Sequence, residues 1–175
     1  MDDRTREIEV REHFFEDAGR IPNNPELPLL VYPGVLGESD LSPSSCKELL
    51  AENDWGGAWV NGVFSYHHYH SNAHEVLCVM SGGASIAFGG PEGTTVEVEA
   101  GDVVVIPAGV GHCNAGSSSD FAVVGAYPRG QESYDLRTGE EGERPEVLEN
   151  IRNVPFPEAD PLLGRGGPLL SHWSK

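Results

Sequence analysis

Four of the chain's seven histidines fall in the run HHYHSNAH, from His67 to His74. Taken as a strand, the run puts His68 and His70 on one face and His67 and Tyr69 on the other, because side chains alternate with period two. Two imidazoles on one face form half of a site for a divalent transition metal. Phe64 and Tyr66 continue that face toward the interior. After the turn Ser71–Ala73 the next strand begins at His74 or Glu75, and one of the two must point inward. Some forty residues on, the stretch GDVVVIPAGVGHCNAG has a strand ending at Pro107–Gly109, a turn, and His112 as a third imidazole. Three imidazoles and a carboxylate inside an apolar lining suit Fe, Mn, Ni, Zn or Cu, and these residue types do not choose among them. Tyr66 and His74 are further candidates, as hydrogen-bond partners of a ligand or as substrate contacts.

Elements that could position such a set are readable in the pattern. SPSSCKELLAEND predicts one short helix, with Ser42 as its N-cap, Pro43 at its first position and Leu49 and Leu50 on its apolar stripe. From Trp55 onward the chain reads as short strands. GAWVNGVFSYHHYH is one or two of them. EVLCVMSG and ASIAFGG are expected to pair as a hairpin across Ser81–Gly83. TTVEVEAG alternates Val96 and Val98 with Glu97 and Glu99, the mark of a half-exposed strand. DVVVIPAG and FAVVGAYP are continuous apolar runs separated by the polar turn NAGSSSD. Gly82, Gly101, Gly109 and Gly111 read as turn residues with unusual backbone angles. The expected fold is therefore all-β, a small antiparallel β-barrel or jelly roll.

The chain divides into three stretches. Residues 1–54 are an N-terminal extension with the short helix; its stretch 13–41 is proline-rich yet apolar and is expected to pack on the barrel or on a partner subunit. Residues 55–128 are the barrel core. Residues 129–175 are an acidic loop, to about residue 150, and a tail rich in Leu, Phe and Trp that should dock. Trp55 and Trp59 read as core or rim aromatics.

With 28 acidic residues against 11 Lys plus Arg, the net charge is −17. Nucleic acid is not an expected partner, since phosphate binding needs a basic face. Lys47 and Lys175 are the only lysines, a composition that fits salt adaptation as well as an ordinary acidic protein. No apolar stretch approaches the ~20 residues that span a bilayer, and the charged start MDDRTREIEV is unlike a secretory signal. A cytoplasmic location, with no membrane partner, is the expectation. Three cysteines, Cys46, Cys78 and Cys113, argue against a disulfide framework; Cys78 reads as a buried apolar residue and Cys113 as an inert thiol.

The spaced residues also resemble a known family. The first cupin motif, G-x5-H-x-H-x3–4-E-x6-G, is matched by Gly62, His68, His70, Glu75 and Gly82. The second, G-x5-P-x-G-x2-H-x3-N, is matched by Gly101, Pro107, Gly109 and His112, with Gly116 where the motif has Asn and Asn114 two residues before it. The resemblance covers about residues 55–128. NNPELPLLVYPGVL, YHHYHSNAHEVL, GDVVVIPAGVGH and VVGAYPRGQ further resemble a single-domain microbial subgroup, the YjlB-like cupins. The resemblance implies a single-domain cupin fold, metal ligation by His68, His70, Glu75 and His112, and a homodimer. It also favours Glu75 over His74 as the inward residue. The implied function is a mononuclear metalloenzyme acting on a small molecule, of oxygenase, isomerase or lyase type. The alternatives are a non-catalytic cupin that binds or senses a sugar-like ligand, and a metal-free scaffold.

Overall fold

In the computed structural model, which describes residues 8–174, the continuous apolar runs become the middle of a sheet. The strands are β1 (Arg11–His13), β2 (Leu29–Tyr32), β3 (Trp55–Asn61), β4 (Glu75–Ser81), β5 (Gly83–Phe88), β6 (Thr94–Glu99), β7 (Val103–Ile106), β8 (His112–Ser117) and β9 (Ala122–Pro128). One antiparallel sheet has the order β1-β2-β7-β4-β9-β3 and the other β6-β5-β8. All of β7 and nearly all of β4 are buried, as expected of central strands covered on both faces. In β5, buried and half-buried residues alternate, which is what one covered face gives.

Leu29, Val31, Leu77, Val79, Ile86, Phe88 and Val104 fill the space between the two sheets. The opposite face of the larger sheet has its own core, in which Leu30, Tyr32, Val76, Cys78, Val103 and Val105 meet Cys46, Leu49 and Leu50 of the first helix. That helix, α1 (Pro43–Glu52), is capped as expected by the Ser42 side chain, which accepts from the Ser45 N–H. The tail docks there too, with Leu162, Leu169 and Trp173. Its anchor is Asp160, fully buried, whose carboxylate accepts from Tyr32 Oη (2.7 Å) and from the N–H groups of Leu162, Leu163 and Leu169. The fold is thus all-β, two antiparallel sheets face to face in the jelly-roll manner.

Several local expectations are corrected. β4 and β5 do not form a hairpin: β4 pairs with β7 and β9, whereas β5 pairs with β6 and β8. Gly82 (φ +68°) carries the chain from one sheet to the other, and a Cβ there would meet Ser118 Oγ at 2.4 Å and Asp120 Oδ1 at 2.6 Å. The "polar turn" after His112 is instead β8, a sheet edge whose outer residues face water. Its register shifts beside Asn114, where Asn114 Oδ1 accepts from the Gly116 N–H (2.8 Å), so Asn114 makes the turn contact itself. The acidic stretch 129–150 ends in the start of a second helix, α2 (Glu146–Asn153), which buries Val147 and Ile151. The short helix α3 (Pro168–His172) closes the tail. Gly82, Gly101 and Gly109 have positive φ; Gly111 does not, and is glycine because Ile21 Cγ2 would lie 2.6 Å from a Cβ.

The apolar segment that suggested a second subunit is used within the chain: β2 pairs with β7 and is buried throughout. Among the described residues no helix is long and apolar enough to cross a membrane. The charged start, on which the expectation of no secretory leader partly rests, includes residues 1–7 outside the described range, as is Lys175.

Candidate metal centre

The histidine run is not a regular strand. Between β3 and β4 the chain is irregular, touching the rest through single bridges, His68 to His112 and Tyr69 to Arg137. Its backbone is nevertheless pinned. His68 and His112 exchange N–H···O bonds of 3.2 and 2.9 Å, and the His70 carbonyl accepts from the Gly109 N–H at 2.8 Å. On the other side the strap Ser133–Arg137 lies along it. Tyr69 and Arg137 exchange two bonds of 2.9 Å, and the Asp135 carboxylate takes the Ser71 N–H (2.6 Å), the Ser71 hydroxyl and Arg137 Nε (2.8 Å).

These supports bring His68, His70 and His112 together. All three are buried, and their candidate ligand atoms lie within 4.8 Å of one another. Each Nδ1 faces a backbone carbonyl: Tyr66 for His68 (3.0 Å), Val110 for His112 (3.2 Å) and Asp135 for His70. A carbonyl only accepts, so each Nδ1 carries the proton and each Nε2 of a neutral ring keeps its lone pair. Carbonyl contacts of this kind are what orient a ligating imidazole.

Glu75, the first residue of β4, completes the cluster. Its Oε1 lies 3.2 Å from His112 Nε2 and its Oε2 lies 3.5 Å from His70 Nε2, yet Oε1 has no hydrogen-bond donor. Imidazole lone pairs and a carboxylate this close repel unless a cation stands among them, a proton or a metal ion. The side chains respond accordingly. Burial, added to by His112, pushes His68 down to about 3. For His70 burial is outweighed by the Glu75 carboxylate, which raises its pKa. Burial of Glu75 is in turn outweighed by His70 and His112, which hold it well below the usual carboxylate range. Three lone-pair nitrogens within 4.8 Å of one another, with an orphaned carboxylate oxygen 3.2 Å from one of them, fit a divalent transition metal.

The cluster forms the floor of a cavity of about 430 Å³ with walls that include Trp59, Phe64, Leu77, Tyr127, Tyr134 and Leu136. Trp59 Nε1 donates to Tyr127 Oη at 2.8 Å. The Trp59 ring lies over Gly125, where a Cβ would come within 2.3 Å of Cζ2. Burial and the nearby Glu75 keep the Tyr127 phenol protonated far above its ordinary range.

Not every predicted residue joins. Tyr66 contributes its carbonyl to His68, but its ring is 43% exposed, stacked on Phe64, and does not line the cavity. His74 is turned to the other face of the sheet, as alternation requires of Glu75's neighbour. There Nδ1 accepts from the Ala108 N–H (2.9 Å) and the ring packs 4.8 Å from Trp173. The strap was missed altogether: Tyr134, Asp135 and Leu136 lie in what reads as a solvated acidic loop. The signal was two apolar residues flanking Asp135 in an otherwise polar segment.

A two-sheet jelly roll with a histidine–carboxylate cluster between its sheets defines the cupin class. Residues 61–136 match the family described as Cupin. The chain is 45% identical over 169 residues to the uncharacterized protein YjlB of Bacillus subtilis, covering 97% of this chain and 99% of that protein. It therefore belongs to the cupin family, among the YjlB-like proteins. Similar solved structures include acireductone dioxygenase from Bacillus anthracis with a cadmium ion in its active centre (19% identity, TM-score 0.35, 74% of this chain and 78% of that one). Another is procruciferin, an 11S globulin from Brassica napus (16% identity, TM-score 0.39, 80% of this chain and 36% of that one).

Proposed function

We propose that the protein is a mononuclear metalloenzyme acting on a small molecule, with His68, His70, His112 and Glu75 holding one ion of Fe, Mn, Ni, Zn or Cu. The observation that carries this reading is three buried imidazoles whose candidate ligand atoms lie within 4.8 Å of one another, beside a buried carboxylate whose Oε1 has no donor, at the floor of an open cavity. The ion would supply Lewis-acid or redox chemistry at an oxygen of the bound molecule. Backbone carbonyls hold the three imidazoles in one tautomer, Glu75 would add a negative charge, and aromatic side chains wall the cavity above them. Tyr127, whose oxygen accepts from Trp59, stays protonated beside Glu75.

Elemental analysis of protein purified without a histidine tag should find close to one transition metal per chain. A His68→Ala/His112→Ala double variant that kept its full metal content would remove the proposed site. Oxygen uptake by the iron-loaded protein with candidate substrates separates an oxygenase from isomerase or lyase chemistry; metal binding without any turnover would favour a binding or sensory role.

A further inference from the structure

What can enter the cavity is limited by its walls. Two stacked aromatic pairs flank the floor. Phe64 lies on Tyr66 (centroids 5.0 Å, interplanar 16°) and sets its ring at 75° to His68, 5.3 Å away. Beside His70, Tyr134 lies on Tyr127 (4.1 Å, 21°) and at 72° to His70, 5.0 Å away. Phe64, Tyr134 and Leu136 are 49%, 39% and 46% exposed, so the mouth presents apolar surface that a ligand could cover. None of the lining residues is Lys or Arg, and Glu75 is the one carboxylate among them. The arginines of the adjoining segment are engaged elsewhere, Arg129 with Asp54 and Arg137 with Asp135. Sites that select carboxylates or phosphates place arginine or lysine against them. Here the lining itself offers an anion no cationic partner, and Glu75 offsets one charge of the ion it would share.

We infer that the site takes a neutral, planar, ring-bearing molecule, seated between the Phe64 and Tyr134 walls with a hydroxyl or carbonyl oxygen toward the histidines, rather than a carboxylate or phosphate substrate. This rests on the metal reading for the oxygen's destination, and on the walls alone for the ring. The cavity, about 430 Å³, lies in the usual range for small-molecule sites.

The test uses the full chain loaded with zinc and two probes, catechol (a neutral ring with an oxygen pair) and oxalate (a dianion that chelates but cannot stack). Calorimetry should show catechol binding more tightly than oxalate. Tyr134→Ala should weaken catechol about three- to tenfold, the range expected for losing one aromatic contact, and leave oxalate unchanged. Phe64→Ala, beside His68, should do the same independently. Tighter binding of oxalate, or catechol affinity indifferent to both substitutions, overturns the inference. A chain that takes up no zinc refutes the metal reading instead. In that case catechol quenching of tryptophan fluorescence, weakened by Tyr134→Ala, still supports the slot, and no quenching overturns it.

Discussion

Asp135 makes the side-chain joint between the strap and the histidine run, beside the Tyr69–Arg137 backbone pair, so replacing it by alanine tests whether the site depends on that joint. The substitution keeps the backbone carbonyl that receives His70 Nδ1 but removes the carboxylate that takes the Ser71 N–H, the Ser71 hydroxyl and Arg137 Nε. The pair with Arg137 is part-exposed, with side chains 28% and 21% accessible, so each bond is best valued near ~1 kcal/mol rather than at the larger figure for buried charged bonds. The loss is then about 3 kcal/mol, a fall in Tm of about 6–12 °C for a chain of this size. With the strap loosened, His70 loses the support that fixes its ring, and metal affinity should fall about 10–100-fold. Urea melts and competition titration with a zinc chelator measure the two effects separately. Burial disfavours the charged carboxylate, but Arg137 and Ser71 outweigh it and lower the Asp135 pKa. The stabilisation is therefore present above the unfolded value near ~4 and is lost as pH falls through the lower folded value. The two proteins' stabilities should converge in that acid range. A melt reduced as expected with unchanged zinc affinity would refute the coupling, leaving the strap a purely structural clasp.

Four further outcomes are expected. Asp160→Asn replaces an acceptor facing Tyr32 Oη and the Leu169 N–H with an amide group; it should cost about 3–5 kcal/mol, and a loss under ~1 kcal/mol by urea melt would contradict the buried-hub account. Gly125→Ala should displace the Trp59 ring, destabilise by about 1–3 kcal/mol and shift tryptophan emission; an unchanged spectrum and melt would show the ring is not seated there. Glu75→Gln removes the charge nearest His70 and His112 and should weaken zinc binding at least about tenfold, read by the same chelator competition. Burial holds His74 neutral, with its pKa down to about 3, so the unfolded chain binds more protons than the folded one between there and ~6.5. Stability should fall as pH drops below ~6.5, by up to about 1.4 kcal/mol per pH unit for this group. His74→Gln should flatten that acid limb in urea melts at pH 7 and 5, and an unaltered limb would count against it.

What the sequence determined by itself is local. The spacing His68-x-His70, the turn before His112 and the alternation that sends His74 and Glu75 opposite ways depend only on period and turn chemistry, and the strand pattern was legible for the same reason. The cap at Ser42 needed nothing beyond neighbouring residues. Tertiary structure decided everything that depends on distant pairing. The apparent β4–β5 hairpin is split between two sheets, because sheet partners are chosen by which faces can be buried, and β4 is apolar on both. Asp135 and Tyr134 reach the histidines only when residues some 65 positions apart are brought side by side. Composition read the strap as solvated loop, since a segment this polar is held by hydrogen bonds to one particular partner and not by an apolar face of its own. The spacing of His68, His70 and Glu75 was legible within one short stretch; the meeting of those residues with His112 and the walls of the cavity above them were written in the fold.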